Sequence, residues 1–192
     1  LVAEVNRSVV EVRQLSVLGT LRLVDSTLHA VAAQSWTVAG TLSVSNVTIV
    51  GDLAGASLTV GATGQAFVRS LAVRDFDLRL QGPTSVDLDG LGHTGSGELG
   101  ATAGTQVWRN VSQGPGTGRV RVAASNLTVI GGSLLLFSAQ DGGALDLIDV
   151  VADVGGAAYA GSGRVREFWT TSIETLWQAG VPAPNQPFTV ED

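Results

Sequence analysis

One pattern recurs along this chain and restricts what it can fold into. Gly19-Thr-Leu-Arg-Leu-Val-Asp25, Gly40-Thr-Leu-Ser-Val-Ser-Asn46, Gly118-Arg-Val-Arg-Val122 and Gly143-Ala-Leu-Asp-Leu-Ile-Asp149 each carry apolar residues at every second position after a glycine. A period of two is that of a strand with one face buried, and the glycine and the closing polar residue stand where the backbone turns. A unit of one strand and one corner cannot bury its own apolar face, so its recurrence predicts copies stacked into a solenoid.

The period is measurable. Leu15, Trp36, Leu58, Leu78, Leu99 and Val120 open similar apolar-x-apolar triplets, or stand at the corresponding place, at successive spacings of 21, 22, 20, 21 and 21 residues. Independently, Gly64-Gln-Ala-Phe-Val-Arg-Ser-Leu71 matches Gly104-Thr-Gln-Val-Trp-Arg-Asn-Val111 in residue type 40 residues on, which is two periods. A third match sets Ser45-Asn-Val-Thr-Ile-Val-Gly51 against Ser125-Asn-Leu-Thr-Val-Ile-Gly131. Stacking in register then predicts that Leu21, Leu42 and Val120 lie over one another. A chain of this length holds about eight or nine such coils of roughly 21 residues.

Composition agrees with an all-β chain. The 25 glycines against 5 prolines, with 44% hydrophobic and 15% charged residues, are too apolar for disorder and too rich in turns for a helical protein. Cysteine is absent, so stability must come from a continuous core and ladder hydrogen bonds, not from disulfides. A net charge of −6 disfavours nucleic acid as a partner, because phosphate binding needs a basic stripe. The pairs Arg119/Arg121 and Arg164/Arg166 are too short for one and read as solvated strand faces. No apolar run approaches the length of a membrane span, so membrane insertion is not expected; Leu134 to Phe137 is strand-sized. The start at Leu1, without an initiator methionine, suggests a mature or excised piece of something longer.

Alternation, glycine corners and the twenty-odd-residue period together resemble the right-handed parallel β-helix repeat of the pectin-lyase-like superfamily, over roughly residues 9 to 168. The resemblance implies coils of three parallel strands each, and residues 1–168 are expected to form an all-β, right-handed parallel β-helix of about eight coils. Leucine-rich repeats do not fit, since no helical segment falls within each period. An antiparallel sandwich of short strands is the structural rival. Residues 169–192 are expected to leave the repeat. From Trp169 to Gly180 a Ser/Thr start, a glycine stop and Ile173, Leu176 and Trp177 at helical spacing predict a short amphipathic helix capping the solenoid, with Val181–Asp192 as a linker or extended strand. The glycine-rich stretches Gly90–Gly100 and Gln113–Gly118 are expected to be loops, and not phosphate cradles, because no helix follows either.

Four of the five asparagines, Asn6, Asn46, Asn110 and Asn126, lie in N-x-[ST] sequons, which makes them candidate N-glycosylation sites, and the alternation around Val47 and Leu127 turns Asn46 and Asn126 outward. The competing reading is that asparagine is a good bend residue and threonine a good strand residue. Glycosylation would make the protein extracellular or cell-surface, with N-linked glycans and neighbouring domains or copies as its partners.

The resemblance also raises cleavage of acidic polysaccharides, which needs converging carboxylates and a base. Asp75 and Asp77, and Asp87 and Asp89, are spaced i, i+2 so that each pair shares a strand face, and Asp146 and Asp149 lie close. They fit the wet side of alternating strands equally well, and there is no lysine to act as base. His29 and His93 are the only histidines and lie too far apart in sequence to suggest a zinc site or a catalytic triad, so no cofactor is expected. Asp141-Gly-Gly-Ala-Leu-Asp146 resembles a calcium-binding nonapeptide but lacks its internal glycine and occurs once, so it reads as a turn. Trp36 and Trp108 fall at apolar positions and are expected in the core. The expectation is a non-enzymatic structural or adhesive β-helix segment of a larger surface glycoprotein, fibre or appendage; the alternative is a polysaccharide-binding or polysaccharide-degrading β-helix, a lyase, hydrolase or viral spike.

Overall fold

The computed structural model describes residues 2–52, 55–83 and 85–170. Its strands in chain order begin with β1 (Val2–Asn6), β2 (Val9–Val12), β3 (Ser16–Val17), β4 (Thr20–Ala30), β5 (Ser35–Val38) and β6 (Thr41–Gly51). They continue with β7 (Ser57–Val60), β8 (Gln65–Arg74), β9 (Asp77–Gln81), β10 (Ser85–Gly95), β11 (Glu98–Thr102) and β12 (Thr105–Gly116). The last are β13 (Arg119–Ala123), β14 (Asn126–Leu134), β15 (Phe137–Gln140), β16 (Ala144–Ala152), β17 (Ala157–Ala160) and β18 (Arg164–Phe168). One 3-10 turn, Val154–Gly156, is the only helical element among the described residues.

The strands form two sheets. A 10-stranded sheet takes the even-numbered strands in order, with β1 and β2 both beside β4, and an 8-stranded sheet takes β3 to β17. Every pairing is parallel and joins one coil to the next. The chain is therefore a parallel β-solenoid of about eight turns, and the antiparallel sandwich is ruled out.

Each long strand is bent once. In β4 the inward residues are Leu21 and Leu23, then Ser26, Leu28 and Ala30; in β6 they are Leu42 and Val44, then Val47 and Ile49. The alternation changes phase at Asp25 and Asn46, which hold φ of 47° and 54°. One left-handed residue consumes a position with its side chain outside the core, turning the strand so that two sides of the coil close around the core. In the first coil the bend at Arg7, φ 48°, separates β1 from β2. The same corner is occupied by Ser70, Gly90, Asn110, Gly131 and Asp149, one per coil.

Inside, the side chains stack in rows along the axis. Val5, Leu23, Val44, Val68, Leu88, Trp108, Val129 and Leu147 form one row. Trp36, Leu58, Leu78, Leu99, Val120 and Phe137 form another in the short-strand sheet. All the marker residues from Trp36 to Val120 thus lie in one row, and Trp36 and Trp108 are fully buried as expected. Burying an aliphatic side chain contributes roughly 1.5–3 kcal/mol, and an unbroken row supplies that repeatedly without disulfides.

Three expectations are corrected. Leu21 and Leu42 do pair, but Val120 lies in the other sheet, over Leu99, because Gly118–Val122 opens a short strand and not a long one. Asn126 sits beside Thr105 at the start of its strand, whereas Asn46 is a mid-strand corner, so the Ser45–Gly51 and Ser125–Gly131 segments are not equivalent. The glycine-rich stretches are mostly strand: Gly90–Gly95 completes β10, Glu98–Thr102 is β11, and Gln113–Gly116 completes β12. Local composition marks flexibility, but ladder bonds from both neighbouring coils override it. Asp141-Gly142 is a turn, as expected, with φ of 50° and 80°. The anticipated capping helix and tail beyond Thr170 lie outside the described residues.

Candidate functional site

The sequon asparagines occupy two kinds of position. Asn46 and Asn110 are corner residues with φ of 54° and 53°, where asparagine tolerates the left-handed backbone. Their amide nitrogens reach to the preceding coil: Asn46 Nδ2 donates to Asp25 Oδ1 at 3.0 Å and Asn110 Nδ2 to Asp89 Oδ1 at 2.6 Å. Both are exposed, so a modified nitrogen would face solvent, but in the folded protein each already ties one coil to the next. Asn6, at the end of β1, and Asn126, at the start of β14, are exposed and have no side-chain hydrogen bond among the described residues.

The carboxylates do not gather in one groove. Asp75 is not on a strand but in the turn after β8, φ 52°, where its Oδ1 accepts from Ser96 N at 2.8 Å and from Ser96 Oγ at 3.0 Å. Those two bonds hold its pKa below the ordinary 3.8. Asp77, on β9, accepts from Glu98 N at 2.8 Å and from Arg79 Nη2 at 2.5 Å. Asp87 lies between Arg69 and Arg109 on the outer face of the long-strand sheet, and its pKa is lowered chiefly by the hydrogen bond from Arg69. Asp89 serves Asn110. Asp146 takes both Nε and Nη2 of Arg166, at 2.8 and 2.7 Å, while Asp149 accepts from Thr170 N at 2.6 Å. The expected i, i+2 sharing of a face holds for Asp87 and Asp89 and fails for Asp75 and Asp77. Among the described residues no group of three or more His, Cys, Asp or Glu could hold a metal ion.

Arg119 is exposed and Arg121 half-buried, bonding Gln140 Oε1 at 3.1 Å, which matches a solvated strand face braced between coils. His29 Nδ1 lies 3.5 Å from Asp52 Oδ1 at the surface. Trp36 packs against Phe76 with ring centroids 5.1 Å apart, and neither Trp36 nor Trp108 can serve as a sugar platform; Trp169 is 61% exposed.

A concavity breaks the outer surface among the described residues. Past the corner, outward positions carry small residues, and over Ala72 and Gly92 they leave a groove of about 280 Å³ rimmed by Thr48, Val50, Arg74 and Thr94. Arg74 is exposed; its guanidinium makes no side-chain hydrogen bond or ion pair among the described residues, though its charge acts on the neighbouring Asp75. Sequence reasoning missed this groove because it depends on which coils bring Ala72 and Gly92 side by side. It also missed polar side chains inside the core, among them His93, Gln106 and Gln113. The signal was present: counted from the corner glycine Gly90, His93 has the inward parity of Leu91.

The fold and its surface define a parallel β-solenoid without a convergent catalytic constellation among the described residues. No family model, curated protein or solved structure matches the chain. Among the described residues, no helix is long and apolar enough to cross a membrane.

Proposed function

We propose that this chain is a non-enzymatic structural or adhesive segment of a larger extracellular surface glycoprotein, in which stacked coils supply length and stiffness. The observation that carries the reading is the continuous inward row from Val5 to Leu147, which makes the molecule a rod of about 4.8 Å per coil with its ladder along the axis. Its first coil supports a place within a longer solenoid. β1 and β2 pair only with β4, and the inward Ala3, Val5, Val12 and Leu15 are only partly buried. Such an apolar end is what a further coil of the same kind would cover. At the other end Glu167 stands beside Leu147 in an inward row and blunts it with a charge.

N-linked glycans on the sequons would shield the outer face. Protein recovered from its native source is expected in the secreted or surface fraction, with glycan mass on the peptides carrying Asn126 or Asn6. Recovery only from the cell interior with all four asparagines bare would overturn the surface assignment.

The groove at Arg74 favours a second reading, a carbohydrate-binding β-helix. Its apolar floor suits a sugar face and its unpaired guanidinium suits a carboxylate. Wild-type protein would then bind uronic-acid oligosaccharides in calorimetry, and Arg74→Ala would weaken binding about tenfold or more, the loss expected for a hydrogen bond to a charged group. Equal affinity in the variant, or no binding at all, would remove this reading.

A further inference from the structure

Among the described residues, His93 is the titratable side chain that is buried in an interior row. It is 2% exposed and lies between Val73 of β8 and Gln113 of β12. Its ring rests directly on the backbone of Gly118, where a Cβ would overlap Cε1. The ring bonds the Ser96 backbone, and Nε2 is buried with no partner. A proton added at Nε2 would place an N–H donor and a positive charge where nothing accepts them.

The ladder is irregular at the same place. Between β10 and β12 the register shifts just past His93, with His93 opposite Gln113 but Gly95 opposite Gly116. Gln113 ties the bulge to the next coil through its side chain: its Nε2 donates to Gly118 O at 3.3 Å, and its Oε1 accepts from Leu135 N at 2.8 Å and Leu136 N at 3.1 Å. The segment from Gly114 to Gly118 contains three glycines and a proline, so its ordering has a high entropy cost.

We propose that His93 is an acid-sensitive latch whose protonation opens the solenoid locally, at the junction of β10, β12 and the turn into β11, while the coils on either side stay closed. The charged groups near the ring are consistent with this. Asp75 and Asp77 are the carboxylates that act on it, and both are already committed, to Ser96 and to Arg79 and Glu98. Arg74, Glu98 and Arg119, on the elements packed there, occupy exposed or half-buried positions. Burial outweighs the two carboxylates and lowers the His93 pKa from 6.5. A lowered pKa means that the open form binds the proton better. Full closure therefore holds above about pH 6.5 and is lost as pH falls below it. Asp75, also lowered, acts only in the carboxylate range below 3.8 and so falls outside this window.

The test is hydrogen exchange of the whole chain, read by mass spectrometry between pH 7.5 and 5 and corrected for intrinsic rates. Peptides covering residues 90–97 and 112–118 are expected to gain protection loss of up to about thirtyfold at pH 5, the factor by which an open form of ordinary histidine pKa is favoured when the closed form refuses the proton. Peptides from β4 and β6 should stay flat. His93→Leu should abolish the pH dependence, and His29→Gln should leave it intact. If His93→Leu does not fold, NMR titration of the wild-type imidazoles decides. His93 resisting protonation in the closed form supports the latch, and an ordinary titration near 6.5 with flat exchange overturns it.

Discussion

Replacing Trp108 with alanine is expected to lower the free energy of unfolding by about 3–5 kcal/mol, the usual cost of truncating a large buried aromatic. The side chain is fully buried in the row between Leu88 and Val129. Its indole Nε1 donates to Gln106 Oε1 at 3.1 Å, and Gln106 Nε2 donates to Leu80 O at 3.0 Å, so the indole also satisfies a polar group inside the core. Truncation leaves a cavity and an unpaired amide oxygen together. Because a solenoid transmits stability mainly between neighbouring coils, the loss should be concentrated in the middle of the molecule. Urea unfolding followed by circular dichroism measures the total. Trp169→Ala, at a 61% exposed position, should change it by no more than about 0.5 kcal/mol. Equal effects from the two substitutions would mean that the interior row is not continuous at Trp108.

The second large effect is expected at Gly132, where alanine should cost about 3 kcal/mol or more, or prevent folding outright. Gly132 has φ of 105°, a conformation that L side chains rarely adopt, and it lies in an inward row between Val111 and Val150. A Cβ there would overlap the carbonyl oxygen of Val111, which is ladder backbone and cannot move without breaking its own hydrogen bonds. Gly61 provides the comparison, since a Cβ there meets nothing within 4 Å and its φ is not positive. Gly61→Ala should be neutral or slightly stabilising through the unfolded chain. A urea midpoint for Gly132→Ala equal to that of the wild type would contradict the stacked geometry of β12, β14 and β16.

The latch at His93 and the groove at Arg74 show what kinds of feature escape a linear reading. Alternation at Leu21-x-Leu23 and at Val120-x-Val122 looks the same, because a long strand before its bend and a short strand share the period of two. Which sheet each belongs to depends on how many corners precede it in its coil. The corner itself is one residue long and varies among Arg, Asp, Asn, Ser and Gly, so its signal is a change of parity, not a motif. Asn46 therefore reads as an outward strand residue and Asn110 only as a sequon, and the structure alone shows their amides engaged with Asp25 and Asp89. The pairing of Asp75 with Ser96, and of Ala72 with Gly92, joins residues 21 and 20 positions apart, one coil in each case.

What the chain's own text determined was the repeat: apolar residues every second position and a return every twenty-odd residues leave stacked parallel coils as the arrangement that buries every row, with Trp36, Leu58, Leu78, Leu99 and Val120 in one line. The phase of each coil at its corner came from the folded arrangement alone, and with it which polar side chains turn inward, which carboxylates are taken up by their neighbours, and where the surface is left concave. The reason is physical. Burial of a row is a sum over many similar local choices and survives errors at single positions, whereas the identity of a neighbour one coil away is set by a single left-handed residue that shifts everything after it by one place.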